Sequence, residues 1–220
     1  MFDRARALSV VSLLALPVAR SQPAGVDIPG APVPIRILAQ SPAETRTELQ
    51  VICLFRSEPA NTLHGSLAEA NEKLRGLLER VRKPDLFRGE LGETLLITLP
   101  KDSLAAKKLL VIGLGDSLSF SPQRMQLVGE ILYAEAGRLG VAHPYFAPTI
   151  LDGGVTGFPT GDVAEQVIRG FLRAAAIDRL LQDSNAGKHA VTQLTFLAGP
   201  KNVSGTRQGI EKAIRAAARN

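Results

Sequence analysis

The sequence has one cysteine, no tryptophan and only ten aromatic residues among its 220 residues. A single cysteine cannot form an internal disulfide, and the sequence has no Cys or His spacing typical of a zinc or redox site. Cys53 lies in the apolar run 49–55. We therefore predict that it is buried as a small hydrophobic residue and is unreactive.

Blocks of like charge are also missing. The net charge of +5 includes +2 from residues 1–21, and the other basic residues are scattered among acidic ones. Nucleic-acid binding typically requires a basic stripe, together with side chains that stack on bases when the strand is single. We expect no nucleic-acid partner. Hydrophobic residues make up 45% and charged residues 21%, which favours one folded domain over disorder or a multi-span membrane protein.

The first 21 residues have the pattern of a secretory signal peptide. Arg4 and Arg6 precede an apolar segment, 7–18, that is too short to span a bilayer as a stable helix. Ala19 and Ser21 then occupy the small-residue positions of a cleavage site. We predict a secreted or periplasmic protein with no stable membrane span after cleavage. The alternatives are an amphipathic leader or a wrongly assigned start codon.

Residues 22–34 are rich in proline and glycine and are predicted to form an extended spacer, which leaves 35–220 as the domain. Short apolar runs predict six strands, at 34–39, 48–55, 93–99, 108–113, 145–150 and 192–197. Apolar residues at three- and four-residue spacing predict helices at 67–82, 121–139, 162–181 and 205–219. Ser66 could cap the first helix, with Glu69 completing a capping box. The alternation predicts an α/β fold with a mixed, mostly parallel sheet of about six strands.

No residue is assigned a catalytic or metal-binding role from the sequence. The three histidines, His64, His143 and His189, lie far apart in predicted loops or at element ends, where we expect them to be solvated. The His-Glu-x-x-His and Gly-x-Ser-x-Gly motifs are both missing from the sequence. Asp116 follows a strand end, where α/β proteins place functional groups, but we expect it to be a turn residue that accepts backbone hydrogen bonds.

A glycine-rich segment at 152–162 is the most suggestive local feature. It follows a predicted strand and precedes a long helix, so its backbone could approach a ligand at the helix N-terminus. The candidate ligand-binding residues are Gly153, Gly154, Gly157 and Phe158. The alternative is a plain connector, since the segment is no Walker loop and the aspartates at its two ends would repel an anion.

Three short motifs carry a resemblance to a known family: 65–67 (Gly-Ser-Leu), 87–89 (Phe-Arg-Gly) and 113–115 (Gly-Leu-Gly). In this order and spacing, followed by a long helix with Asp178-Arg179, they resemble the N-terminal domain of the leucyl aminopeptidase (cytosol aminopeptidase) family. The resemblance covers about residues 35–220 and implies a single macro-domain-like, three-layer α/β domain with helices on both faces of the sheet.

The same resemblance implies that the family's metal ligands and catalytic residues belong to a further domain with no counterpart in this sequence. It therefore implies no cofactor on this chain, and zinc or manganese only where a catalytic domain is supplied elsewhere. We expect a non-catalytic exported domain with a binding or assembly role, whose partner is a peptidase catalytic domain or a second copy of the chain. One alternative is the N-terminal part of a metal-dependent leucyl aminopeptidase. Another is a module that binds ADP-ribose or another nucleotide, as related macro domains do through a glycine loop before a helix.

Overall fold

A computed structural model describes residues 25–56, 62–82, 86–184 and 191–219. Its strands are β1 (Val26–Ile28), β2 (Ile35–Leu38), β3 (Leu49–Leu54), β4 (Thr94–Thr98), β5 (Lys108–Gly113), β6 (Tyr145–Ala147) and β7 (Leu194–Leu197). Its helices are α1 (Gly65–Lys73), α2 (Leu77–Val81), α3 (Met125–Arg138), α4 (Thr160–Asp183) and α5 (Val203–Ala217). The predicted signal peptide, 1–21, lies outside the described residues.

The strands form one sheet in the order β1-β2-β7-β6-β3-β5-β4. The five inner strands run parallel, and the two edge strands β1 and β4 pair antiparallel with β2 and β5. The sheet has seven strands where the sequence predicted about six. The additional strand is β1, which lies in the segment that we predicted as a spacer.

Helices cover both faces of this sheet, which confirms the three-layer α/β prediction. Alternate residues of each inner strand pack on opposite faces, because side chains in a strand alternate sides. Val51 of β3 belongs to the cluster under α3, α4 and α5, whereas Ile52 belongs to the cluster under α1 and α2. Both faces of the inner strands are therefore buried, as in a doubly wound sheet.

The helix predicted at 67–82 is in fact two helices, so that prediction was wrong. Arg75 and Gly76 have φ angles of 54° and 76°, in the left-handed region, and this ends α1 before α2 begins. The cap was also predicted wrongly, because His64 is the N-cap residue of α1 and no side chain caps this helix.

Among the described residues, no helix combines the length and the apolar character that crossing a membrane requires.

Candidate functional site: a cleft at the carboxyl edge of the sheet

A cleft of about 630 Å³ lies at the carboxyl ends of β2, β6 and β7. Its walls come from the segments that follow these strands, 39–42, 148–152 and 198–200, and from the first turns of α1, α4 and α5. Parallel α/β sheets place their binding sites at this edge, because the strand-to-helix loops converge there. The topology therefore makes this cleft the candidate functional site.

Thr149 fixes the loop that forms one wall of the cleft. β6 ends at Ala147, and the next residue is Pro148, which has no N–H to donate to the ladder. The Thr149 hydroxyl replaces the missing ladder bonds. It donates to the Cys53 carbonyl over 2.7 Å and accepts from the Cys53 N–H over 3.0 Å. Thr149 has φ of 50°, which is rare for a β-branched residue, and strained residues of this kind cluster at functional sites.

Asp152 joins the same loop to the start of α1. Its carbonyl accepts from the His64 N–H over 2.9 Å, and its carboxylate accepts from the Ser66 hydroxyl. The carboxylate thus lies at a helix N-terminus, where a negative charge is favourable. Ser66 therefore ties α1 to the cleft instead of capping its own helix.

Helices α4 and α5 meet at the opposite wall through glycines. The Cβ of an alanine at Gly161 would lie 2.7 Å from the Gly205 carbonyl oxygen, and one at Gly209 would overlap the Gly161 carbonyl. The close approach brings Thr160 of α4 and Thr206 of α5 to the same cleft. Thr206 is only 2% exposed.

The predicted glycine loop only partly lines this cleft. Phe158 is a lining residue and packs edge-to-face on Phe120, at 5.5 Å between ring centroids. Gly153 is buried against Phe55, Gly154 has φ of 88°, and Gly157 is exposed with no atom near its Cβ position. Packing and backbone conformation thus account for Gly153 and Gly154, and the assignment of all four residues to a ligand stays a prediction.

Carboxylates dominate the charge of the cleft. Asp152, Glu44 and Glu69 line it, and no lysine or arginine does so within the described ranges. Burial raises the pKa of Glu69, but hydrogen bonds from Ser41 and Lys73 outweigh this and hold the pKa below its ordinary value. Glu69 is therefore ionised and is paired with Lys73 at 2.9 Å.

The other sequence candidates lie elsewhere. Cys53 is a buried free thiol, as predicted, and burial raises its pKa. The Asp116 carboxylate accepts from the Leu118 N–H at 2.9 Å, which confirms its role as a turn residue. His64 and His143 are exposed, as expected, and His189 lies outside the described residues. In the described part of the chain, no group of three or more His, Cys, Asp and Glu residues could hold a metal ion.

Glu165 lies beside the cleft and links α4 to α5. Its side chain is only 5% exposed and forms ion pairs with Lys212 at 2.7 Å and Arg169 at 2.8 Å. Burial raises the pKa of Glu165, but the hydrogen bonds from Lys212 and Arg169 outweigh it, so the pKa lies below its ordinary value.

We expect Glu165→Gln to lower the free energy of unfolding by about 1.5 kcal/mol near neutral pH, since it removes charge-assisted hydrogen bonds. A lowered folded-state pKa stabilises the fold above the unfolded pKa of Glu, and this stabilisation is lost as pH falls through the folded value. Urea unfolding at a series of pH values should therefore show the free energies of unfolding of the wild type and of Glu165→Gln converging below about pH 4. Glu211→Gln, which removes a more exposed carboxylate that pairs with Arg207 and Arg215 on the same helix, is the matched control. If Glu165→Gln stays less stable than the wild type by the same amount in acid, the loss of stability does not come from the ionised Glu165 carboxylate.

Sequence reasoning missed Thr149, Thr160 and Thr206 as cleft residues. The available signal was position, because the segments that follow parallel strands meet at one sheet edge. A search restricted to glycine motifs and metal ligands could not find threonines supplied by three different segments.

Comparison with protein families gives a match to the model for the cytosol aminopeptidase family, N-terminal domain, over residues 51–175. Among curated proteins, the probable cytosol aminopeptidase of Thermosynechococcus vestitus is 29% identical over 103 residues, which cover 44% of this chain and 20% of the relative. The matched part is thus a fifth of the relative's length.

Solved structures with a similar fold include a tomato leucine aminopeptidase mutant, with TM-score 0.59 and 17% identity, covering 87% of this chain and 38% of the other. The Oceanobacillus iheyensis macrodomain with ADP has TM-score 0.59 and 14% identity over 89% of this chain and 100% of the other. The Trypanosoma brucei macrodomain in complex with ADP-ribose has TM-score 0.56 and 14% identity over 79% and 68%. At these identities the likenesses show the fold alone.

Proposed function

Since this chain belongs to the cytosol aminopeptidase family and corresponds to its N-terminal domain, we propose that it is a non-catalytic, exported domain that binds a peptidase catalytic domain of the same family. The aminopeptidases that it matches are much longer than the matched part, which supports a partner domain of that kind. In this proposal zinc or manganese is held by the partner and not by this chain.

An exposed apolar surface at the end of α4 carries the proposal. Ile177, Leu180 and Leu181 are 54%, 68% and 48% exposed and lie on one face of the helix. Ile177 and Leu181 border a groove of about 420 Å³ between α3 and α4, which Tyr133 and Ala174 also line. Contiguous exposed apolar side chains of this kind are typical of a protein interface.

The register of α4 and α5 leaves this surface uncovered by α5. Gly161 lies against Gly205 and Gly209, and Glu165 pairs with Lys212, so the two helices run side by side from their first turns. Since α5 ends at Ala217, the last turns of α4 extend beyond it. We call Ile177, Leu180 and Leu181 the α4 patch.

The test mixes the purified chain with the catalytic domain of a cytosol aminopeptidase from the same organism. Alone, the chain should not hydrolyse leucine p-nitroanilide with Mn²⁺ or Zn²⁺, and the mixture should form a complex in size-exclusion chromatography with light scattering. Ile177→Ser with Leu180→Ser should weaken this complex by about tenfold or more, since buried apolar anchors dominate interfaces. Leu118→Ser, which changes a leucine that is 91% exposed outside the α4 patch, is the matched control.

Three outcomes would contradict parts of this proposal. Metal-dependent hydrolysis by the chain alone, abolished by chelation, would favour an enzyme in its own right. A dimer of the chain that the double variant disperses would favour the homo-oligomer. Equal weakening by Leu118→Ser would remove the α4 patch from the interface.

Export is the second part of the proposal, supported by the charge, apolar length and small residues of segment 1–21. We expect cleavage after Ser21, so N-terminal sequencing of the protein from its native source should begin at Gln22. A mature protein that retains Met1 would show that the segment is not a cleaved signal.

A nucleotide-binding role is less well supported. The related fold of the macrodomains bound to ADP and ADP-ribose favours it, but the cleft of this chain is lined by carboxylates that would repel phosphates.

A further inference from the structure

Strand β4 lies at one edge of the sheet, and no described strand pairs with its outer side. The Glu93 carbonyl accepts from β5, and the Leu99 N–H donates to the residue that precedes β5. The odd-numbered residues of β4 therefore direct their backbone groups toward β5. Since these directions alternate along a strand, the N–H and C=O groups of Thr94, Leu96 and Thr98 point outward, where another strand could bind.

The outer edge of β4 lacks the residues that normally keep an exposed strand from pairing with another chain. Natural edge strands are short or contain charged residues or proline. Residues 94–99 include no charged residue and no proline. By contrast, β1 at the opposite edge has only three residues, and one of them, Asp27, forms an ion pair with Arg36 at 3.5 Å. Of the two edges, β4 is thus the one open to pairing.

Both faces of β4 also carry apolar side chains that this chain covers only in part. Leu96 is 37% exposed on the face that packs toward α3. Leu127 of α3 is 38% exposed and lies near the start of β4, since its Cδ2 is 3.3 Å from the position of a Cβ at Gly92. Leu95 and Ile97, on the other face, are half-buried. A second strand beside β4 would bury more of these side chains.

The sequence of β4, Thr-Leu-Leu-Ile-Thr, reads almost the same in both directions. In an antiparallel pair of two copies centred on Leu96, this residue lies opposite itself. Leu95 then lies opposite Ile97 of the second copy, and Thr94 lies opposite Thr98. The outward backbone groups of both strands all find partners in this register. Such self-complementarity is what a two-fold contact between identical chains requires.

We propose that β4 pairs antiparallel with β4 of a second copy of this chain, so that the two sheets join into one continuous sheet about a two-fold axis at Leu96. The pairing occupies the open edge of both copies, and β1 is protected, so the assembly stops at a dimer. This interface shares no residue with the α4 patch, and it therefore does not depend on binding of a catalytic domain.

The test is sedimentation equilibrium of the purified chain at a series of concentrations, which should show monomer and dimer in equilibrium. Thr94→Lys with Thr98→Lys places lysines opposite each other at both ends of the paired strands and should weaken the dimer about tenfold or more. Thr94→Lys with Thr98→Glu is the matched control, because each lysine then lies opposite a glutamate of the second copy and the dimer should persist. Both positions are exposed, so both variants should fold, which circular dichroism checks.

Hydrogen exchange gives a local readout at the centre of the interface. The Leu96 N–H should be protected at high protein concentration and lose this protection on dilution, since only the second copy accepts its hydrogen bond.

Four results would overturn the proposal. They are a chain that stays monomeric up to about 1 mM, equal weakening of the dimer by the two paired variants, and a dimer that Ile177→Ser with Leu180→Ser disperses. The fourth is Leu96 protection that appears only when a catalytic domain is added, which would assign the β4 edge to that partner.

Discussion

We expect Gly129→Ala to lower the free energy of unfolding by about 3 kcal/mol, because the added methyl group has no room at the crossing of α3 and α4. Its Cβ would overlap the Val167 carbonyl oxygen and lie 2.7 Å from the Phe171 backbone nitrogen. Both neighbours are helix backbone, which cannot rotate away as a side chain can. The helices must move apart, and this loosens the core under the sheet.

The same crossing is tight from the other side. A Cβ at Gly170 of α4 would overlap the Gln126 carbonyl of α3 and lie 2.9 Å from the Gln126 Cα. Gly129 and Gly170 thus allow the two helices to pack backbone to backbone. Gly170→Ala should destabilise the fold to a similar extent.

Gly137→Ala is the matched control, since Gly137 lies in the same helix α3 but has no atom within 4 Å of its Cβ position. There the substitution should stabilise by up to about 1 kcal/mol, because alanine has the higher helix propensity. Urea unfolding followed by circular dichroism should show opposite signs for the two alanines. In a domain of this size, Gly129→Ala should lower the melting temperature by about 6–12 °C. If Gly129→Ala proves as stable as Gly137→Ala, then α3 and α4 do not contact each other backbone to backbone at Gly129.

The sequence predicts most of the fold because the inner strands and the long helices have strong apolar periodicity. All six predicted strands are present, although β6 ends three residues early, at Ala147. Strand β1 was missed because it has three residues, with only Ile28 buried, and lies in a proline-rich segment. The break between α1 and α2 was missed because leucine spacing continues through it, and periodicity does not report the positive φ of Arg75.

Less of the site could be predicted. Glycine content drew attention to 152–162, but the structure accounts for Gly153 through contact with Phe55 and for Gly154 through its backbone conformation. The cleft depends instead on side chains from distant segments, among them Thr206, which looks in the sequence like an ordinary member of an amphipathic helix. Such sites form when folding brings distant segments together, and a local sequence pattern does not show which segments meet.

The role of Thr149 also depends on contacts between distant segments, so the sequence did not reveal it. The sequence placed it inside a strand, 145–150, where threonine is common. In the structure its hydroxyl serves both the N–H and the carbonyl of Cys53, and its backbone has φ of 50°. The hydroxyl therefore holds an unfavourable backbone conformation next to the cleft.

We expect Thr149→Val to lower the free energy of unfolding by about 2–3 kcal/mol, because it keeps the shape of the side chain but leaves the buried N–H and carbonyl of Cys53 without that partner. Thr149→Ser keeps the hydroxyl and should cost about 1 kcal/mol or less, since it removes a single methyl group. Hydrogen exchange gives a local readout. The Cys53 amide should lose protection in the valine variant and keep it in the serine variant, because only the serine can accept its hydrogen bond. Equal stability and equal Cys53 protection in the two variants would show that the hydroxyl does not fix this loop. A specific loss in the valine variant would establish that one side chain takes over from the ladder where β6 ends and so sets the wall of the cleft.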